Sequence, residues 1–300
     1  MQGAGPGWCH WDRLPPALGR QPATLLLQHP DRASSLALVC GCANAADDAG
    51  LQLSLGGSPA PTESGRFSVP IRPGKHLKGI SRYDSMTQPF LPIKYTRLET
   101  AGHLTFTSTR LVADLRVIGA PVADLWLESS VPDCDIFVYL VSVGKGDGRQ
   151  LVRCREHPVC PQENYDPQTG RVCYVTEGMC RASHRAESSP PDPKDPRSRA
   201  VLPGHPFHTH MEADALPMPQ GRPAQLRFAM LPTAFTFEKG TCIRLAFAGC
   251  DTKHFVDDAL VQAESAGWLD SPEWRGKGDP DGGRQLWIHT SDSKLVLPVV

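Results

Sequence analysis

Serine chemistry would require a nucleophile on a sharp turn between a strand and a helix, within the sequence Gly-x-Ser-x-Gly. That motif does not occur in the chain, and the nearest approach is the sequence Gly-Gly-Ser-Pro-Ala around Ser58. Pro59 lacks the N–H that would help to hold an oxyanion, and Pro61 opposes a helix after the turn. We therefore predict that Ser58 lies in a plain turn and that this chain carries no catalytic residue.

Three histidines lie close together in the segment 204–210, and Glu212 and Asp214 follow them. On an extended strand, His208 and His210 would point to the same face, and a His-x-His pair with a distant third ligand is a known zinc geometry. The surrounding segment is rich in proline, however, and no sequence signal fixes the imidazole rings. We predict a surface histidine loop without metal, and we keep a zinc-stabilised protein as an alternative.

Ten cysteines are present, and four of them share one segment with two histidines: Cys154, Cys160, Cys173, Cys180, His157 and His184. Their spacings match neither Cys-x-x-Cys nor a zinc-finger pattern. In Cys40-Gly41-Cys42, one intervening residue is too few for a relaxed disulfide or a redox motif. The chain also lacks an Asn-x-Ser/Thr acceptor, so we predict free thiols in a reducing compartment.

Some aromatic residues on predicted strands could stack on a sugar ring: Trp126, Tyr139 and Trp287. Aromatic residues on strands more often form core contacts or cross-strand pairs. Carbohydrate or ligand binding by a free-standing module is therefore the alternative function. The chain contains no glycine-rich phosphate loop, and we predict no cofactor.

The elements that must position any site are clearest in the stretch 104–143. It contains four apolar runs separated by short breakers: Leu104–Ser108, Leu111–Ile118, Val122–Glu128 and Ile136–Val143. Leu125 and Leu127 alternate with polar neighbours, as expected of an antiparallel sheet with one buried face. At the last breaker, Asp133 and Asp135 are expected to cap the turn, with a calcium loop as the alternative.

Further β-runs are predicted on both sides of this stretch: Thr24–Gln28, Ser35–Val39, Leu51–Leu55, Arg171–Thr176, Gln225–Leu231, Thr241–Ala248, Arg284–His289 and Lys294–Val299. The segment 56–100 is predicted to wrap a surface without adding a strand, and Phe255–Trp268 is the one predicted helix. The pattern indicates an all-β, jelly-roll sandwich with long loops, and a closed barrel is the alternative.

We expect a loose lead-in over 1–23, leading strands and a wrapping loop over 24–103, and the jelly roll over 104–300. The last two are predicted to form one structural unit.

Lys and Arg total 31 and Asp and Glu total 32, so no net field favours nucleic acid or an anionic membrane. The first twenty residues lack the basic and apolar regions of a secretory signal, and no apolar stretch is long enough to span a membrane. These observations predict a soluble, cytoplasmic protein.

Five blocks in the second part of the chain resemble, in order, the C-terminal domain of the X-Pro dipeptidyl-peptidase and cocaine esterase-like serine hydrolases. The blocks are TSTRLVADLRVIG (107–119), DCDIFVYL (133–140), VTEGMCRASHR (175–185), LPTA with FEKG (231–234 and 237–240), and SKLVLP (293–298). In that family the domain is a jelly roll, similar to galactose-binding modules, and it follows an α/β-hydrolase domain that carries the Ser, Asp and His.

The resemblance implies the accessory part of a hydrolase without its catalytic part, as a truncated product or as one partner of a split enzyme. Its expected partner is an α/β-hydrolase domain, in cis or in trans, and an exposed apolar patch could also make a homodimer. By the same likeness, Tyr83 and Phe90 in the 80–92 loop are the expected docking or cleft-covering residues. Glu177, Arg181 and Arg185 are expected to be structural, with an Arg–Glu pair fixing the turn.

Overall fold

The computed structural model describes thirteen segments of the chain: 23–26, 37–39, 53–55, 66–70, 78–80, 94–96, 104–144, 164–166, 170–189, 205–251, 259–275, 284–290 and 292–299. The following residues named above lie outside them: Gln28, Ser35, Cys40, Gly41, Cys42, Leu51, Ser58, Pro59, Pro61, Tyr83, Phe90, Cys154, His157, Cys160 and Phe255.

Strands dominate the described residues. They are β1 (Ala23–Leu26), β2 (Ala37–Val39), β3 (Leu53–Leu55), β4 (Arg66–Pro70), β5 (Lys78–Ile80), β6 (Lys94–Thr96), β7 (Leu104–Ser108), β8 (Leu115–Gly119), β9 (Val122–Ser129), β10 (Asp135–Gly144), β11 (Asn164–Asp166), β12 (Gly170–Arg181), β13 (Ala224–Ala229), β14 (Thr233–Phe237), β15 (Cys242–Ala248), β16 (Gln285–His289) and β17 (Lys294–Leu297). One α-helix, α1 (Ala259–Ser265), and short 3-10 turns at Ala182–His184, Glu212–Asp214 and Trp268–Asp270 complete the described elements.

Two antiparallel sheets form the body of the fold. Sheet A has the order β2-β1-β17-β9-β16-β4, and β13 pairs with the other edge of β9. Sheet B has the order β11-β12-β10-β15-β7-β3. Two smaller pairs, β8 with β14 and β5 with β6, lie outside these sheets.

The core lies between the two sheets because each contributes alternate apolar side chains to one continuous cluster. Leu125 and Leu127 of β9 are almost fully buried there, as their alternation predicts. Phe106 of β7 makes edge-to-face contacts with Phe67 of β4 and Phe247 of β15, each with ring centroids 5.8 Å apart. The contact between Phe67 and Phe106 joins sheet A to sheet B, and the predicted all-β sandwich is confirmed.

A serine side chain completes sheet A at the point where two strands meet one edge of β9. β17 pairs with the first half of that edge and β16 with the second half. Between them, the Trp126 N–H donates to the Ser293 hydroxyl at 2.9 Å, and that hydroxyl donates to the His289 carbonyl at 2.7 Å. The block 293–298 therefore closes the sheet without leaving a buried N–H unsatisfied.

Several predicted elements are confirmed and others are wrong. Leu104–Ser108 is a strand with the predicted bounds, and Ile136–Val143 extends by one residue at each end. The prediction that 56–100 adds no strand is wrong: Arg66–Pro70 joins sheet A because Phe67 and Val69 alternate into the core. Of the predicted helix Phe255–Trp268, residues 255–258 lie outside the described residues, and α1 ends at Ser265, three residues before the predicted end.

The strand predicted to end at Thr176 continues to Arg181, because β10 supplies a ladder of backbone partners along its whole length. In contrast, the predicted run Leu111–Ile118 starts as a strand only at Leu115. No helix of the described residues is long and apolar enough to cross a membrane.

Candidate functional site

The block 175–185 packs its last residues against the turn that precedes β10. Arg181 forms a two-pronged ion pair with Asp135, with Nε–Oδ1 and Nη2–Oδ2 distances of 2.9 and 3.2 Å. Asp133 Oδ1 accepts the N–H groups of Cys134 and Ser183, both at 2.9 Å. The predicted capping role is confirmed for Asp133, whereas Asp135 begins β10 and pairs with Arg181. The acid that pairs with Arg181 here is Asp135 and not a glutamate. Glu177 lies four positions before Arg181 on β12, which places their Cα atoms about 13 Å apart.

Arg185 holds the same turn through backbone carbonyls. Its guanidinium donates to the carbonyl oxygens of Leu216 at 2.6 Å, Pro217 at 2.8 Å and Ala182 at 3.2 Å. Burial lowers the pKa of Arg185 from its ordinary value. A planar group with several donors suits this arrangement, because no single lysine ammonium matches its fork geometry.

Burial controls the titration of the other groups at this turn. It raises the pKa of Asp133 to about 6, against the opposing effect of the Ser183 hydrogen bonds. It also raises the pKa of Cys180 to about 12 and that of Cys134 still further above the usual range. Both thiols therefore remain protonated at neutral pH and are poor nucleophiles.

The predicted histidine loop lies along the outer edge of β13. His208 Nδ1 is 3.1 Å from the Ala186 carbonyl oxygen, and Nε2 is 2.6 Å from the Arg227 carbonyl oxygen. The ring centroids of His184 and His208 lie 5.4 and 5.9 Å, respectively, from that of His210. Burial, with the neighbouring charges, lowers the pKa of His184 and of His210.

Through these contacts, the His208 ring attaches the histidine loop to the edge of β13. Within the described segments, no three His, Cys, Asp or Glu side chains converge so that they could hold a metal ion. The zinc alternative therefore gains no support from the part of the chain that the structure describes.

β10 is buried on both faces. In most sandwiches, by contrast, one face of each strand is exposed to solvent. Alternate residues of β10 point into the core. The others join two alanines of β15 in a second apolar cluster on the outer face of sheet B: Phe137, Tyr139, Val141, Val143, Ala246 and Ala248. Arg244 lies on this outer face and is only 4% exposed, and its Nε donates to the Thr107 hydroxyl at 2.7 Å. Desolvation lowers the pKa of Arg244 to about 10.

A cavity of about 140 Å³ opens at one end of this outer face. Its described walls come from β10, from the last part of β12, from the end of β13 and the residues after it, and from the segment that follows β15. The lining residues are Phe137, Tyr139, Glu177, Gly178, Met179, Ala229, Leu231 and Asp251. Glu177 is 5% exposed and Asp251 is 4% exposed. The Tyr139 hydroxyl donates to Asp251 Oδ2 at 3.2 Å.

Gly178 allows the two sides of the cavity to meet closely. A Cβ atom at this position would lie 2.9 Å from Met230 Cγ and 3.0 Å from Met230 Cα. The Leu231 N–H donates to the Glu177 carbonyl at 2.8 Å, and the Thr176 hydroxyl donates to the Leu231 carbonyl at 2.6 Å. The sequence Glu177-Gly178 therefore brings β12 against the end of β13 instead of ending a strand.

The sequence signals for this cavity were partial. The unbroken apolar run 136–143 is typical of a strand buried on both faces, which could have indicated a second apolar surface on sheet B. Asp251 is 112 positions from Tyr139, and the pairing of these two residues follows only from the register of β10 with β15.

The aromatic residues considered for sugar binding fall into two places. Trp126 of β9 and Trp287 of β16 share the outer face of sheet A, whereas Tyr139 is buried on sheet B. The Arg66 guanidinium lies 4.4 Å from the centre of the Trp287 ring, and Arg66 also pairs with Glu128. At least one face of the Trp287 ring is thus occupied by a cation.

Comparison with known proteins extends these observations. The family model of the X-Pro dipeptidyl-peptidase C-terminal non-catalytic domain matches residues 45–259. Two proteins named "Putative serine esterase", Mb1866c of Mycobacterium bovis and MT1883 of Mycobacterium tuberculosis, are each 36% identical over 160 residues, or 53% of this chain. The match covers 21% of either protein, so the chain spans about a fifth of the curated relatives that it matches.

Two solved structures, both of larger hydrolases, are similar in fold over about two thirds of this chain. The CocE/NonD family hydrolase SACOL2612 of Staphylococcus aureus has a TM-score of 0.41 and 16% identity, over 66% of this chain and 30% of that one. An α-amino acid ester hydrolase has a TM-score of 0.41 and 17% identity, over 67% of this chain and 26% of that one.

The fold and the family match together define a non-catalytic β-sandwich domain. The matched span covers well over half of the 300 residues. The chain belongs to the family of X-Pro dipeptidyl-peptidase C-terminal non-catalytic domains.

Proposed function

We propose that this chain acts as the accessory part of a serine hydrolase, docking against a catalytic α/β-hydrolase part and covering one side of its substrate cleft. The family match over residues 45–259 is the observation that supports this proposal most strongly. In the proposed enzyme, a serine of the hydrolase part attacks the acyl carbon of an ester or of an X-Pro peptide, and the alcohol or the amine leaves. Water then hydrolyses the acyl-serine, which releases the acid and restores the serine hydroxyl.

The proposed docking surface is centred on the loop that carries Tyr83 and Phe90. That loop connects β5 with β6, which pair with each other, and β6 lies against β11 and β12 at the edge of sheet B. Met179 of β12, which is 43% exposed and lines the cavity, is included in the proposed surface.

Two further assignments belong to this proposal. Arg181 and Arg185 hold the turn before β10 in place, so their role is structural. A reducing, cytoplasmic location is supported by the free thiols of the described cysteines, which are Cys134, Cys173, Cys180, Cys242 and Cys250.

Sedimentation analysis of this chain mixed with the hydrolase part of the Mycobacterium tuberculosis relative tests the docking. We expect a one-to-one complex, and we expect the double variant Tyr83→Ala/Phe90→Ala to weaken it about tenfold or more, as for central aromatic contacts. Val112→Ala is the matched control because Val112 is 83% exposed in the turn between β7 and β8. Failure of the unaltered chain to bind would refute the accessory role, and unchanged binding by the double variant would refute this surface.

A free-standing carbohydrate-binding module is the second candidate, because Trp126 and Trp287 share one outer face. A saturable change in tryptophan fluorescence on adding a neutral monosaccharide, lost in Trp126→Ala, would support it. No change at high sugar concentration would remove it.

A further inference from the structure

The His208 ring lies between two acceptors that both require an N–H. Its Nδ1 atom is 3.1 Å from the Ala186 carbonyl oxygen, and its Nε2 atom is 2.6 Å from the Arg227 carbonyl oxygen. A carbonyl oxygen can only accept a hydrogen bond, and a neutral imidazole carries a single N–H. Both contacts are therefore hydrogen bonds only when each ring nitrogen carries a proton, which makes the ring a cation.

The two carbonyl oxygens belong to different parts of the fold. Ala186 lies just after the 3-10 turn that follows β12, and Arg227 lies on β13. The ring thus attaches the histidine loop to both places at once. After the loss of one proton, one ring nitrogen would present a lone pair to a carbonyl oxygen, and that attachment would be lost.

No acid among the described residues pairs with the His208 ring, whose interactions are the two carbonyl contacts and the contact with His210. The charged and titratable groups on the neighbouring elements are Arg181, His184, Arg185, Glu187, Arg227 and Asp135. Of these acids, Asp135 pairs with Arg181 and Glu187 with Arg227. On the loop itself, Asp214 accepts the Thr209 hydroxyl, and Glu212 is exposed. The two backbone carbonyls are therefore the described acceptors for a charge on His208.

Two further imidazole rings favour a single charge at this position. The ring centroids of His184 and His208 lie 5.4 and 5.9 Å, respectively, from that of His210. Burial first, and then neighbouring positive charges that include His208, lower the pKa of His184 and of His210. Because like charges at this separation disfavour each other, a proton on His208 leaves the other two rings neutral.

We propose that His208 is a pH-dependent attachment point for the histidine loop. With a proton on each nitrogen, the ring holds the loop to Ala186 and to Arg227 together. An imidazole gains or loses its second proton between about pH 5 and pH 8. As the pH rises through this range, the longer contact, with Ala186, opens, and the remaining N–H keeps the shorter contact with Arg227.

NMR of the ring nitrogens in the ¹⁵N-labelled chain tests the protonation state without altering the protein. At about pH 6.5, where an unconstrained histidine ring is half protonated, both nitrogens of His208 should carry a proton. His205 is the matched control, because its Nε2 contacts one carbonyl oxygen, that of Ala120 at 2.9 Å, and its buried Nδ1 has no hydrogen-bond partner among the described residues. His205 should therefore show one unprotonated nitrogen.

The spectra of His208→Gln and His205→Gln, each of which lacks the signals of one ring, assign the two histidines. An unprotonated nitrogen in His208 at this pH would overturn the proposal.

Amide hydrogen exchange measures the attachment itself. The Ser188 N–H donates to the Phe207 carbonyl at 2.9 Å, close along the chain to both ends of the Ala186 contact. From pH 6 to pH 8, its exchange relative to that of an unfolded peptide at the same pH should become faster by about tenfold or more, as for the loss of a charged hydrogen bond. The Leu216 N–H donates to the Ser183 carbonyl at the other end of the loop, where Arg185 also binds, and should keep its protection.

His208→Gln separates this effect from the titration of neighbouring groups. A glutamine amide carries both of its N–H groups on one nitrogen and does not titrate, so it cannot donate at both ends. In this variant, with the fold checked by circular dichroism, Ser188 should exchange fast at pH 6 and at pH 8, whereas His205→Gln should keep the pH-dependent change. Equal protection of Ser188 at both pH values in the unaltered chain, or a pH-dependent change that persists in His208→Gln, would refute the attachment by His208.

Discussion

Asp133 should make the stability of this domain depend on pH in a direction opposite to that of most aspartates. Its carboxyl is 1% exposed, and burial raises its pKa from 3.8 to about 6. The folded state therefore binds a proton more tightly than the unfolded chain does. The stabilisation is fully present below pH 3.8 and is lost as the pH rises towards the folded-state pKa of about 6.

The size of this effect follows from the interval between the two pKa values. Each pH unit corresponds to about 1.4 kcal/mol, so ionising Asp133 in the folded state costs about 3 kcal/mol relative to the unfolded chain. Asparagine at this position keeps an oxygen for the N–H groups of Cys134 and Ser183 but does not ionise. We therefore expect Asp133→Asn to remove this part of the pH dependence.

Urea unfolding followed by tryptophan fluorescence at pH 4, 5, 6 and 7 measures the effect. Between pH 4 and pH 7, the free energy of unfolding of the unaltered chain should fall by about 2 kcal/mol relative to that of the variant, because part of the total is already lost at pH 4. The lowered pKa values of His184 and His210 make the free energy of unfolding rise with pH, which is the opposite direction. This contribution cancels in the difference between the two proteins because both retain these histidines. Asp114→Asn is the control, since Asp114 is exposed and accepts the Lys239 N–H. Parallel pH profiles for the unaltered chain and Asp133→Asn would refute the reasoning.

Two further substitutions test how the sheets are joined, and denaturant unfolding measures both. Gly178→Ala should destabilise the domain by about 1–3 kcal/mol because the new Cβ atom would lie 2.9 Å from Met230 Cγ. Gly144→Ala is the control and should have a smaller effect, since the nearest atom to its Cβ lies at 3.4 Å. Equal losses of stability in the two variants would contradict this prediction. Ser293→Ala should cost about 1–3 kcal/mol because the Trp126 N–H loses its acceptor between β16 and β17, and an unchanged unfolding midpoint would show that this N–H has another partner.

The strands with regular apolar patterns could be predicted from the sequence because burial against a second sheet requires that pattern. Leu104–Ser108 and the run 136–143 are the clearest cases. Arg66–Pro70 was missed because prolines and turn residues surround it, and only Phe67 and Val69 mark its buried face. A strand so short is recognisable only from its partner β16.

The cavity could not be predicted in the same way. Glu177-Gly178 has the composition of a turn, yet β10 extends the ladder beyond it and Met230 leaves no space for a larger residue than glycine. Asp251 reaches the same wall through the register of β10 with β15. These contacts depend on residues far apart in the chain, so no local pattern indicates them.

Labelling with a fluorophosphonate probe, which reacts with activated serines, is the most direct test of the claim that this chain is a non-catalytic domain of a serine hydrolase. Intact-mass spectrometry of the purified chain should show no adduct, while the hydrolase part of the Mycobacterium tuberculosis relative, labelled in parallel, should gain one. Stoichiometric labelling of a serine in this chain would contradict the account.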